Sequence, residues 1–267
     1  MSDTRAANLF SGANLLLSFL NLQRTGSPLE AKLAEFVNRL KDAAGENLRS
    51  VVLHGSAVSG EFCEGFSDLN ILCLLESLAT VDLAQIHPAV SWWIEEGNCA
   101  PVLFKFDELA RSAHLFALEM VDIKNDHRVL FGPDWLEDFQ PPLHLHGLQT
   151  VRELHLERLK LRQAILAAPQ KSKAQLDVML SSVSRFCTLF RHSVMAAGDP
   201  VPQTKREAVA AIASWTGADP SGFEVILDFR EGQRKRRQID IEASLHSFVE
   251  FAELAANEAD RRLAARR

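Results

Sequence analysis

The stretch Val51–Leu75, "VVLHGSAVSGEFCEGFSDLNILCLL", decides how the rest of the chain is read. One apolar run ends in Gly55-Ser56, and a second begins where Asp68-Leu69-Asn70 ends. Short runs rich in Val, Leu and Ile have the length and composition of buried strands. A glycine after such a strand lets a phosphate approach the backbone. A hydroxyl and unpaired amides at the start of the next helical turn complete an anion cradle. A plain tight turn would use the same two residues. Asp68 and Asn70 are two apart, so on a strand both side chains leave on one face. Oxygen donors placed in this way suit Mg²⁺.

Working outward, "SVVLHG", "LNILCLL", "APVLFKF" and "FALEMVDI" have strand length, and "LATVDLAQIHPAVSWWIEEG" reads as a helix between the second and third. Before them, "SPLEAKLAEFVNRLKDAAGEN" reads as a helix with Ser27 and Pro28 at its start and Gly45 at its end. Strands alternating with helices predict an α/β unit, a mixed sheet flanked by helices. Beyond the turn-rich "FGPDWLEDFQPPLHLHG" the strand patterns stop. Val151, Leu154, Leu161 and Ile165 form one helical stripe, with Leu156 and Leu159 on another face, the pattern of a helix central in a bundle. Leu176, Met179, Val183, Phe186 and Phe190 form a second stripe, "TKREAVAAIASWTG" a third helix, and Ile241, Leu245, Phe248, Ala252, Ala255 and Ala259 a fourth. The expected division is an α/β domain over residues 1–140 and an all-α helical bundle over 141–267.

The chain has 267 residues, ample for a substantial core, and a net charge of −6, which gives nucleic acid no global electrostatic attraction. Cys63, Cys73, Cys99 and Cys187 show neither zinc-type spacing nor a disulfide framework, as expected in a reducing cytoplasm. The apolar N-terminal stretch, about ten residues long, is too short to span a membrane and reads as a core or dimer-packing helix. With no tyrosine in the chain, self-modification on tyrosine is excluded.

Gly55-Ser56, the spacing to Ser67-Asp68-x-Asn70 and the later acidic segment resemble the nucleotidyltransferase superfamily of polymerase-β-like fold. The likeness is to its bacterial minimal and aminoglycoside-adenylylating members, which pair such a domain with a helical bundle. It implies Mg²⁺- or Mn²⁺-dependent transfer of a nucleoside monophosphate from an NTP, ATP first among them, to a hydroxyl of a small molecule or protein. On that resemblance, Gly55, Ser56 and Ser67 hold the nucleotide in the cleft between the domains. Asp68, Asn70 and Glu119 ligate metal, Asp68 and Glu119 are catalytic, and Glu119 draws the acceptor's proton. Asp122 competes for Glu119's role, since the two would face opposite sides of a strand. The family has an acid at the position of Asn70, so the site lacks one negative charge. The alternative is therefore a nucleotide-binding or antitoxin-like module with impaired catalysis, its bundle serving for partner binding or homodimer formation.

Other residues invite two readings each. Arg185 and His192, like Arg49 and His54, fit the Arg-x4–6-His spacing of HEPN ribonucleases, a pattern that chance also supplies. Arg230, Arg234, Lys235, Arg236 and Arg237 form either a polyanion patch or a solvated linker. Arg152, Glu153, Glu157 and Arg158 either reach a substrate or pair along the helix surface. His54 lies near the cradle or bonds within its strand, and Trp92 and Trp93 read as core packing or a subunit contact.

Overall fold

The computed structural model describes residues 28–63, 65–169 and 172–266. The helix expected over the N-terminal apolar stretch and the cap expected from Ser27 lie outside them. The described residues form two compact units: one takes 28–113 and Glu119–Pro141, the other His114–Leu118 and 142–266.

The first unit is built on a four-stranded mixed sheet of β1 (Leu48–His54), β2 (Asn70–Leu75), β3 (Val102–Lys105) and β4 (His127–Phe131), in the order β3-β2-β1-β4. β1 runs antiparallel to both β2 and β4, and β2 runs parallel to β3. The β2–β3 crossover is made by a helix, as a parallel pair requires. Val51, Val52 and Leu53 are all buried, which is why the central strand reads as an unbroken apolar run and not as an alternation.

One sheet face, with Leu53, Ile71 and Cys73, packs against α1 (Pro28–Ala44) and α3 (Thr80–Glu95). Leu33, Phe36, Val37, Leu40 and Ala44 form the buried stripe of α1 at helical spacing. Phe36 stacks on Trp93, ring centres 4.4 Å apart. The other face, with Val52, Leu72 and Leu74, packs against α4 (Phe106–Ser112), α5 (Ala117–Asn125) and Leu136. A single helical turn, α2 (Ser56–Ser59), follows β1.

The α/β reading of this unit holds, with one correction. "FALEMVDI" is not a strand but lies within a 3-10 turn and α5. Ala117, Met120 and Val121 are buried at i, i+3 and i+4, a helical repeat inside a run too short to separate helix from strand by period alone. The fourth strand is "HRVLF" instead, hidden in the sequence because all five of its residues are half-buried.

The second unit is all helical: α6 (His146–Ala167), α7 (Ser172–Ala197), α8 (Lys205–Thr216), α9 (Ser221–Arg230) and α10 (Ile241–Ala264). The stripe expected on α7 is buried throughout, and Phe186, Phe190, Phe223, Phe248 and Phe251 form one aromatic core. Two details differ from the sequence reading. Leu159 remains 47% exposed, so α6 buries a single stripe and is not surrounded. α9 is an additional helix, whose Phe223, Ile226 and Leu227 supply the i, i+3, i+4 repeat. No helix among the described residues is long and apolar enough to cross a membrane.

Candidate functional site

β1 is buried from Ser50 to Leu53, and the chain turns at Gly55, whose φ of 77° and ψ of −148° are open only to glycine. The Gly55 N–H donates to the Asp126 carbonyl at 3.0 Å, and its own carbonyl accepts from the Val58 and Ser59 amides at 2.8 and 3.1 Å. These bonds close α2 and leave the Ser56 and Ala57 amides, at its first turn, without helical acceptors. No side chain caps that turn.

The register opposes His54 to Asn70 across the β1–β2 pair. A Cβ on Gly55 would stand 3.1 Å from Asn70 Nδ2, so the Asn70 amide group lies directly against the turn. Leu69 is buried between an exposed Asp68 and an exposed Asn70, the alternation that places both polar side chains on one side. Ser67 closes a turn of its own, its Oγ accepting from the Cys63 amide at 3.0 Å. Cys99 stands beside Asp68: partial burial first, then the Asp68 charge, raise the Cys99 thiol above its ordinary pKa. Trp93 holds that loop, its Nε1 donating to the Cys99 carbonyl at 2.9 Å. Trp93 is thus a core residue that also positions the neighbourhood of Asp68.

In the helical form of α5, Asp122 is an acid whose charge reaches His54 beside the turn. Glu119 is exposed and joined by no interaction to Asp68, Asn70 or Gly55 among the described residues. Asp122, one turn on and half-buried, lies close enough to His54 for its charge to act on the imidazole. The Asp126 amide donates to the Asp122 carbonyl at 2.9 Å and the Asp126 carbonyl accepts from Gly55, so the end of α5 is tied to the cradle. An i, i+3 pair shares a helix face, so the two acids are not on opposite sides as a strand would have put them. The helical repeat of Ala117, Met120 and Val121 was the signal that could have revealed this.

Burial dominates at His54 and lowers its pKa to about 4, with the Asp122 charge opposing. The ring is therefore neutral at pH 7. Between the ordinary value near 6.5 and about 4, the unfolded chain takes up a proton that the folded chain does not. The His54 contribution is thus complete above about pH 6.5 and is lost as pH falls through that window. The loss is at most about 3 kcal/mol, reduced by partial solvent access. Urea midpoints at about pH 7 and pH 4.5 should differ less in His54→Asn than in the unmodified chain.

Several of the remaining candidates are engaged structurally. His192 is buried and bonded to His146, Nδ1 to Nε2 at 2.9 Å, while Arg185 meets Glu153 at 3.4 Å, so the spaced pair does not form an exposed catalytic couple. Arg49 pairs with Glu76. Arg158 bridges to Glu253 at 2.8 Å, and Arg152 to Glu153 at 2.5 Å. Within the basic run, Arg234 pairs with Asp228 at 3.2 Å and Arg230 donates to the Ser184 hydroxyl. The Trp92 ring carries the Arg39 guanidinium 4.5 Å from its centre.

Among the described residues no group of three or more His, Cys, Asp or Glu side chains is arranged to hold a metal ion. Of the expected ligand set, Asp68 and Asn70 stand two residues apart at the start of β2, and Glu119 forms no hydrogen bond or ion pair with either. One carboxylate and one neutral amide do not make a resident site for a hard divalent cation, for which anionic oxygens dominate affinity.

No family model matches the chain, and no curated protein sequence does. Among solved structures the chain is similar to the crystal structure of spectinomycin adenyltransferase AAD(9) from Enterococcus faecialis with ATP and spectinomycin. That likeness has a TM-score of 0.49 and 14% identity, over 82% of this chain and 98% of the other.

Proposed function

We propose that the chain binds a nucleoside triphosphate, as its Mg²⁺ complex, at the Gly55 turn and transfers the nucleoside monophosphate to a hydroxyl acceptor. The observation that supports this most is the meeting at one strand end of a glycine-only turn, two amides open to an anion and Asn70, with Asp68 two residues before it in the chain. The Ser56 and Ala57 amides would receive phosphate oxygens, and the absence of a Cβ at Gly55 would let them approach. Mg²⁺ would be carried by the triphosphate as part of the substrate, and Asp68 would be the carboxylate offered to it, supplying charge neutralisation of the phosphates. The acceptor oxygen bonds to the α-phosphorus, the bond from that phosphorus to the bridging oxygen breaks, and pyrophosphate leaves.

In this reading Asp122, rather than Glu119, takes the acceptor's proton. Its support is its place beside a neutral His54 at the cradle. Asp122→Asn should lower turnover about 100-fold or more while leaving Mg-ATP affinity within about twofold. Release of labelled pyrophosphate from γ-labelled ATP, across a panel of hydroxylated small molecules and proteins, measures it. Loss of turnover in Glu119→Gln with none in Asp122→Asn would reverse the assignment.

Asn70 and the missing three-group cluster favour a second reading, nucleotide binding without turnover. The helical unit would then serve a protein partner or a second copy. Asn70→Asp separates the two: it raises or preserves turnover under the first and creates none under the second.

A further inference from the structure

We propose that the helical unit carries a binding site for a medium-chain aliphatic carboxylate, independent of the nucleotide reading. A cavity of about 430 Å³ lies where the entry to α6 meets the last turns of α7 and α10. That volume falls within the range of small-molecule pockets. Leu143, Leu148, Met195 and Leu263 form its apolar wall. Leu143 and Leu148 remain 48% and 51% exposed, so the rim presents apolar surface to solvent.

The polar groups of the lining are all of one kind. His144, His146 and Arg266 face the cavity and no acidic side chain does, in a chain whose net charge is −6. Arg266 has no carboxylate partner among the described residues. Its Nη1 donates to the Ala196 carbonyl at 2.9 Å, and a Cβ on Gly198 would stand 2.6 Å from its Nη2. The guanidinium is thus held against the carboxyl end of α7, with no acid among the described residues in ion-pair contact with it. His146 is 3% exposed and fixed by its 2.9 Å bond to His192. His144 is stacked on His114, ring centres 5.6 Å apart. The polar side of the cavity is therefore held in place before any ligand arrives.

Charge complementarity selects an anion, and the walls select its body. Leucine and methionine side chains give an adaptable aliphatic surface, and the imidazole of His144 is already engaged in stacking. A triphosphate would need several donors, and one arginine with two fixed imidazoles suits a single carboxylate.

Calorimetric titration of the full chain with octanoate, below its micelle concentration, tests this beside octanol and benzoate. The expected result is saturable binding of one octanoate per chain, with octanol and benzoate each about tenfold weaker or more. Arg266→Gln, an exposed position, should weaken octanoate about tenfold and leave octanol unchanged, with the thermal midpoint preserved. Ala196→Phe should fill the cavity and block both. Absence of saturable octanoate binding, equal affinity for benzoate, or octanoate affinity unaffected by Arg266→Gln would overturn the proposal.

Discussion

Gly222→Ala should destabilise the helical unit by about 3 kcal/mol, although alanine is the better helix former by about 1 kcal/mol. Gly222 lies in the first turn of α9, where that helix meets α10. A Cβ there would stand 2.4 Å from the Phe248 amide nitrogen and 2.6 Å from the Ser244 carbonyl oxygen. Both are helix backbone and cannot swing aside. The adjoining Phe223 stacks on Phe248 with ring centres 3.9 Å apart and planes within 7°, and the Gly222 amide donates to Ser247 Oγ at 3.0 Å. Relieving the clash means separating α9 from α10, which breaks that hydrogen bond and loosens the aromatic core together. Urea denaturation measures the loss. Glu224→Ala, an exposed change in the same helix, should stay within about 0.5 kcal/mol and serves as the control.

Asp68→Asn should reduce Mg-ATP affinity about 100-fold while leaving stability unchanged. The residue is exposed and makes no ion pair among the described residues, so the fold does not depend on it. The turn does depend on it for charge. With Asn70 already an amide, Asp68 is the carboxylate at the start of β2 that would meet a metal carried by the triphosphate, and its replacement would remove that anionic oxygen. Calorimetric titration reads the affinity. A second readout needs no ligand: the Asp68 charge contributes to the raised pKa of Cys99, so the thiol should alkylate faster in Asp68→Asn. Faster alkylation with unchanged nucleotide affinity would show that the carboxylate stands beside Cys99 yet does not receive nucleotide.

The sheet core was legible because its residues carry the signal on their own. Val51, Val52 and Leu53 are apolar on both faces, and Leu33, Phe36 and Leu40 repeat at helical spacing. The Gly55 turn was legible for a related reason, since a glycine closing an apolar run marks a backbone conformation that side chains resist. What the sequence hid was tertiary. The segment around Glu119 has too few residues for strand and helix periods to diverge, and its helical form decides whether Glu119 or Asp122 is near His54. β4 is half-buried along its length and so has no clean alternation. His192 reads as a polar helix residue spaced from Arg185, but its ring enters the core because His146 supplies a hydrogen bond there. The link between Trp93 and Cys99 depends on a backbone carbonyl, which no side-chain pattern encodes.

The most direct test of the nucleotide assignment is amide hydrogen exchange of the intact chain with and without Mg-ATP. The account predicts slowed exchange at residues 55–59, at 67–71 and at 122–127, the three segments that meet at the end of β1. Protection confined to the helical unit, or none at a saturating nucleotide concentration, would contradict it.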